Sequence, residues 1–149
     1  MSASISGTNY ELMKSFLSRL VGKLDIDSGN TRVGLVTFAT NVGTTIQLNA
    51  HASAASLQSV ISSLTQSRAW SRGTTNTADA LAHVRTNMST SAAGDRSNVP
   101  NVVIVLTDGR STRPTATQVS IKLLACFLSE KYDRYNMKMR WFGSHYAAC

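Results

Sequence analysis

At 149 residues, 42% hydrophobic and 15% charged, the chain has the size and mixture of one globular domain built on one core. It holds no apolar run of about 18 residues, and the opening MSASISGTNYELMK lacks the apolar region of a signal peptide, so neither a membrane span nor an export signal is expected. The net charge of +7 is spread singly and reads as a solvated basic surface; only KYDRYNMKMRWF, over 131–142, interleaves cations with aromatics as a polyanion-binding surface would.

Near the start, Thr8 and Glu11 have the spacing of a capping box, which predicts a helix from there. Leu12, Met13, Phe16, Leu17, Leu20, Val21 and Leu24 repeat at three- and four-residue steps and give that helix a broad apolar stripe. Residues 25–30 read as a turn. RVGLVTFAT over 32–40 and VGTTIQL over 42–48 are rich in β-branched residues and predict a hairpin, its first strand covered on both faces and its second at an edge.

Leu57, Val60, Ile61 and Leu64 mark a second helix over 53–64, and TQSRAWSRGTTN breaks the periodicity as a loop. A third helix is expected over 77–88 on Ala78, Leu81, Val84 and Met88, with Thr77 as its cap. Val102-Val103-Ile104-Val105-Leu106, bounded by Pro100 and Asp108-Gly109, predicts a buried parallel strand. A fourth helix is expected over 115–128, with Ala116, Val119, Leu123, Leu124 and Phe127 inward. Helices alternating with strands point to an α/β doubly wound, mostly parallel sheet.

Ligands of such a sheet bind beyond the carboxyl ends of its strands. That rule singles out Thr107-Asp108-Gly109, the loop Arg72-Gly73-Thr74-Thr75-Asn76-Thr77, and Ser2-Ala3-Ser4. These supply hydroxyls and a carboxylate, hard oxygens that suit Mg²⁺ or Mn²⁺. Asp108 before Gly109 also fits a simple turn, and Thr75 and Thr77 fit helix caps.

His51, His83 and His145 fall in different elements without ligand spacing, and the chain has neither a Gly-x-Ser-x-Gly elbow nor a Gly-rich phosphate loop, so no enzyme is expected. Trp70 and Trp141 suit packing as well as contact. Asn87-Met88-Ser89 fits the short glycosylation acceptor pattern. Cys126 and Cys149 are too few for a disulfide framework and leave the redox compartment open.

Four ordered motifs now carry a resemblance. SASISGTNYELMKSFL resembles the segment immediately after the Asp of the Asp-x-Ser-x-Ser motif in von Willebrand factor type A domains, such as those of type VI collagen, matrilins and integrins. RVGLVTFAT is similar to that family's second strand, GTTNTADAL to its metal-binding Thr loop, and VVIVLTDGRS to its fourth strand with the closing Asp.

The resemblance implies a metal-ion-dependent adhesion site with Ser2 and Ser4 as direct ligands, Thr75 direct or through water, and Asp108 through water. The family's first Asp would fall one position before Met1, so weak Mg²⁺ or Mn²⁺ binding is expected. With the preceding central strand also missing, exposed backbone and apolar surface are expected beside VVIVL.

The expected domain is a partial type A domain over 1–125, followed by a divergent basic and aromatic tail over 126–149 that shows no buried strand. The implied function is an extracellular matrix or cell-adhesion module. Its partner would be collagen or another matrix or cell-surface protein, offering an acidic side chain to the cation. Two other readings are an intracellular type A scaffold and polyanion binding through the tail.

Overall fold

The computed structural model describes residues 6–65, 74–107 and 111–133, with side chains to residue 128. In chain order these form α1 (Gly7–Val21), β1 (Leu35–Phe38), β2 (Val42–Ile46), α2 (Ala54–Ser63), α3 (Thr77–His83), a π-helical turn (Val84–Met88) and α4 (Pro114–Asp133).

Helix α1 begins at a different cap from the one its sequence suggests. Ser6 is the N-cap, its hydroxyl accepting from the Asn9 amide at 3.2 Å, while Glu11 pairs with Lys14 at 3.0 Å. A serine already in extended conformation one residue before the first turn satisfies the free N–H, leaving nothing for Thr8 to cap. The predicted turn over 25–30 is present: the Asp25 carboxylate accepts from the Ser28 hydroxyl and from the Asn30 amide at 2.7 Å, and Gly29 takes the positive φ of 79°.

The predicted hairpin forms. β1 and β2 pair antiparallel, Leu35 opposite Ile46 and Val36 opposite Thr45, with a register irregularity before Phe38. The predicted second helix is met almost residue for residue, with Ser53 capping the Ser56 amide at 3.2 Å.

Helices α1 and α2 lie together over the hairpin and enclose a core of Val21, Ile26, Ile46, Leu57 and Ile61. Polar clamps fix the helix pair. Lys14 Nζ donates to the carbonyls of Ser62 and Leu64 at the end of α2, each at 3.2 Å, and Gln58 Nε2 donates to Ser18 O at 2.8 Å.

The second half departs from expectation. Residues 102–106 form no strand, and the sheet among the described residues has only two strands, antiparallel to each other. Val102, Ile104 and Val105 are 77%, 58% and 44% exposed, and only Val103 packs into a cluster, that of Leu81, Leu124 and Leu128 between α3 and α4. A run of this composition becomes a buried strand only when strands flank it, and no described segment hydrogen-bonds to its backbone.

The helix stripes are corrected for the same reason. Leu12 and Phe16 of α1, and Val119 and Leu123 of α4, stand largely exposed because no sheet layer among the described residues covers those sides. The predicted fourth helix runs from Pro114 to Asp133, five residues past its expected end.

Candidate functional site

The described part of the site is a meeting of three loops, held by backbone polar groups. The β1–β2 turn supplies the first. Ala39 O accepts from the Asn76 amide at 2.8 Å, Thr40 O accepts from Asn76 Nδ2 at 3.2 Å, and Thr40 Oγ1 accepts from the Thr74 amide at 2.9 Å. The third loop closes from the other side. Thr75 O accepts from the Thr112 amide at 2.9 Å, from Ser111 Oγ at 3.1 Å and from Thr112 Oγ1 at 3.2 Å.

Thr75 is thereby buried and fixed by its own carbonyl, between a hairpin turn and the chain just past residues 108–110. Thr117 Oγ1 donates to Ser111 Oγ at 2.7 Å, which orients that hydroxyl toward Thr75 from the first turn of α4.

Asn76, not Thr77, caps α3, its Oδ1 accepting from the Asp79 amide at 3.3 Å. Asn76 Nδ2 is held by Thr40 O on one side and by Asp79 Oδ2 at 2.6 Å on the other, so one amide side chain ties cap and turn together. Thr77 is left as a buried residue of the first turn. Sequence reasoning passed over Asn76, although an Asn directly before an apolar helix is the standard signal of a cap.

Of the four residues expected to hold a cation, only Thr75 lies within the described residues; Ser2, Ser4 and Asp108 lie outside them. Within the described residues, the Thr75 loop is bonded to Ser111 and Thr112.

The donors in view are hydroxyl oxygens, which fit Mg²⁺ or Mn²⁺ in kind. The described residues hold no group of three or more His, Cys, Asp or Glu able to bind a metal. Asp79 adds no free charge, because its Oδ1 pairs with Arg113 Nη1 at 3.0 Å while Oδ2 receives Asn76.

The histidines serve structure where described. His83 Nε2 bonds Thr45 Oγ1 at 3.2 Å, and His51 Nδ1 bonds Ser56 Oγ at 2.8 Å. Cys126 is disulfide-bonded, and Cys149 is the sequence's other cysteine. Among the described residues no helix is long and apolar enough to cross a membrane.

Comparison with known proteins places the chain among matrix proteins' domains by similarity of sequence. The chain is 34% identical to the collagen alpha-4(VI) chain of Mus musculus over 113 residues, 74% of this chain and 5% of that protein. It is 37% identical to matrilin-4 of Homo sapiens over 113 residues, covering 74% and 18%, and 38% identical to matrilin-1 of Mus musculus over 112 residues, covering 73% and 22%. It thus spans under a quarter of each of these relatives.

The family model for the von Willebrand factor type A domain matches residues 1–135. With the Thr75 loop, the hairpin turn and the segment after Asp108 meeting at one place, and with nine-tenths of its length matched, the chain belongs to the von Willebrand factor type A domain family, whose fold is α/β.

Proposed function

We propose that this chain is a protein-binding module of the extracellular matrix or cell-adhesion kind, and that Ser2, Ser4, Thr75 and Asp108 hold a divalent cation, Mg²⁺ or Mn²⁺, at its binding face. The observation that carries the proposal is the bond from the Thr112 amide to Thr75 O, which ties two of the three candidate ligand loops at one end of the fold. The fold in this reading is the family's doubly wound, mostly parallel sheet, of which β1 and β2 are the strands in view.

A bound cation would supply an open coordination position for an acidic side chain of the partner. The chain's own residues position and tune that site. Asn76 and Thr40 hold the Thr75 loop, and Ser111, Thr112 and Thr117 fix it from the α4 side. Among the described residues, Asp79 is paired with Arg113 and adds no unpaired charge beside the site, which is in keeping with weak affinity.

The partner class, collagen or another matrix or cell-surface protein, is supported by the collagen and matrilin relatives. The disulfide at Cys126 suits an oxidising, extracellular compartment over an intracellular scaffold role.

Titration with Mn²⁺, followed by electron paramagnetic resonance, tests the site. Binding in the range of about 10⁻⁴–10⁻³ M is expected. Asp108→Asn should abolish it, whereas Asp79→Asn should leave it within a few-fold. Binding that survives Asp108→Asn, or no Mn²⁺ binding at all, refutes the cation reading.

A further inference from the structure

Asn87-Met88-Ser89 is the one Asn-x-Ser/Thr tripeptide of this chain, and the cation site makes no use of it. So short a pattern arises often by chance, and the fold around it decides whether it serves as an acceptor for an N-linked sugar. The modification requires an asparagine amide that nothing else holds, and a surface with room for a bulky hydrophilic group.

Helical backbone runs from Thr77 through α3 and the π-helical turn to Met88, and Ser89 leaves it as the C-cap with φ −86° and ψ 48°. The tripeptide therefore straddles a helix end and the loop that follows. Met88 is 5% exposed and packs so closely on Gly34 that a Cβ there would lie 2.5 Å from Met88 Cε. With Met88 turned inward, the residue before it, about a quarter-turn round the helix, faces out. Asn87 is accordingly exposed, as is Thr86.

Thr86 Oγ1 donates to Asn87 Oδ1 at 2.6 Å, and no hydrogen bond among the described residues engages Asn87 Nδ2, the atom that would carry the sugar. Ser91 and Ala92, just beyond, are also exposed. None of the exposed large apolar side chains falls within 84–99, so a glycan here covers no apolar contact surface.

The opposite end of the same helical run carries the Thr75 loop. Ten residues separate Thr77 from Asn87, about 15 Å along the axis at a helical rise of about 1.5 Å per residue. A sugar at Asn87 and a partner at the Thr75 end are thus accommodated together.

We propose that Asn87 is an N-glycosylation site, occupied when the chain passes through the secretory pathway, and that its glycan marks the end of the helix remote from the candidate binding face. The donor class is an oligosaccharide carried on a lipid pyrophosphate. Asn87 Nδ2 bonds to the anomeric carbon of the sugar, the bond from that carbon to the pyrophosphate oxygen breaks with its electron pair leaving on the lipid pyrophosphate, and one amide proton is released. The Ser89 hydroxyl completes the recognised pattern, which is read on the extended chain before the π-helical turn closes. Occupancy rests on the extracellular placement proposed above, because the donor is met on the secretory route.

The full chain, sent into the secretory pathway of cultured animal cells behind an added leader peptide, tests the site. A single mobility shift on denaturing gels is expected, removed by an amidase specific for N-linked glycans, with Asn87 recovered as Asp in the released peptide by mass spectrometry. Asn87→Gln and Ser89→Ala should each abolish the shift, whereas Ser89→Thr should retain it. Cell extract is analysed beside the medium, so a variant that fails to fold still reports. A chain that has lost its leader yet carries no sugar, or a shift that survives Asn87→Gln, overturns the proposal. Because the added leader supplies entry, that failure leaves the adhesion reading standing, and failure of the Mn²⁺ titration leaves the glycan assignment standing.

Discussion

The two halves of this molecule contain apolar residues in similar density but use them differently. In the first, α1 and α2 close over the hairpin, and Leu57 and Ile61 are each 1% exposed. In the second, α3 and α4 bury Leu81, Leu124 and Leu128 between themselves while Val102, Ile104, Val119 and Leu123 remain in solvent. The difference is one of layers. Helices α1 and α2 share a core with Ile26 and with Ile46 of β2, whereas α4 buries its apolar residues chiefly along its seam with α3, the helix that contacts the hairpin. Hydrophobicity supplies the driving force, but a second covering layer decides whether it is realised.

The largest expected effect tests that contrast directly. Leu57→Ala should cost about 3 kcal/mol in urea unfolding, because the surrounding core cannot collapse into the space. Leu124→Ala should cost at least ~1 kcal/mol less, since partly exposed neighbours such as Ile121 and Phe127 can move in. Equal losses would mean the second half is as closely packed as the first.

A smaller effect is expected where the halves are stitched together. Gly94 has φ of 93°, Asn49 donates to Ala93 O and Ala92 O, and Arg32 Nη1 donates to Gly94 O at 2.7 Å. A Cβ at Gly94 would lie 2.6 Å from Asn49 Cβ and 2.7 Å from Asn49 N. Gly94→Ala should therefore cost about 1–3 kcal/mol, from strain and from displaced backbone. Thermal unfolding of the variant measures it, and an unchanged melting temperature would show that this seam yields freely.

The smallest effect concerns the turn that ends the first helix's connection to the hairpin. Hydrogen bonds from Ser28 and Asn30 hold the Asp25 carboxyl below its ordinary 3.8. A depressed folded value means that the stabilisation is complete above the unfolded value and is lost as pH falls through the folded one. NMR titration should place the Asp25 midpoint below 3.8, and Asn30→Ala should move it upward. A midpoint at or above 3.8 would show that the turn opens in solution.

How far the sequence alone reached depends on whether the relevant physics is local. Ser53, with Leu57, Val60, Ile61 and Leu64 behind it, specifies α2 because a cap and a 3.6-residue period act within one element. The hairpin was legible in the same way, from β-branched runs flanking a short turn. The loop at Thr75 was singled out by its place just before an apolar helix, and the structure gives that loop its hydrogen-bond partners Thr40, Ser111 and Thr112.

Other features were decided only by tertiary structure. Val102 to Leu106 reads as a buried strand from composition, yet burial and pairing belong to whatever lies alongside, which composition does not encode. The stripe on α1 could not tell Leu17 from Leu12, because which part of a helix is covered depends on the width of the layer beneath it. Nor could it show that Arg113 reaches back 34 residues to neutralise Asp79, or that Thr112 seals the Thr75 loop. Elements arise from local chemistry, whereas burial, charge pairing and the meeting of loops arise from contacts between residues far apart in the chain.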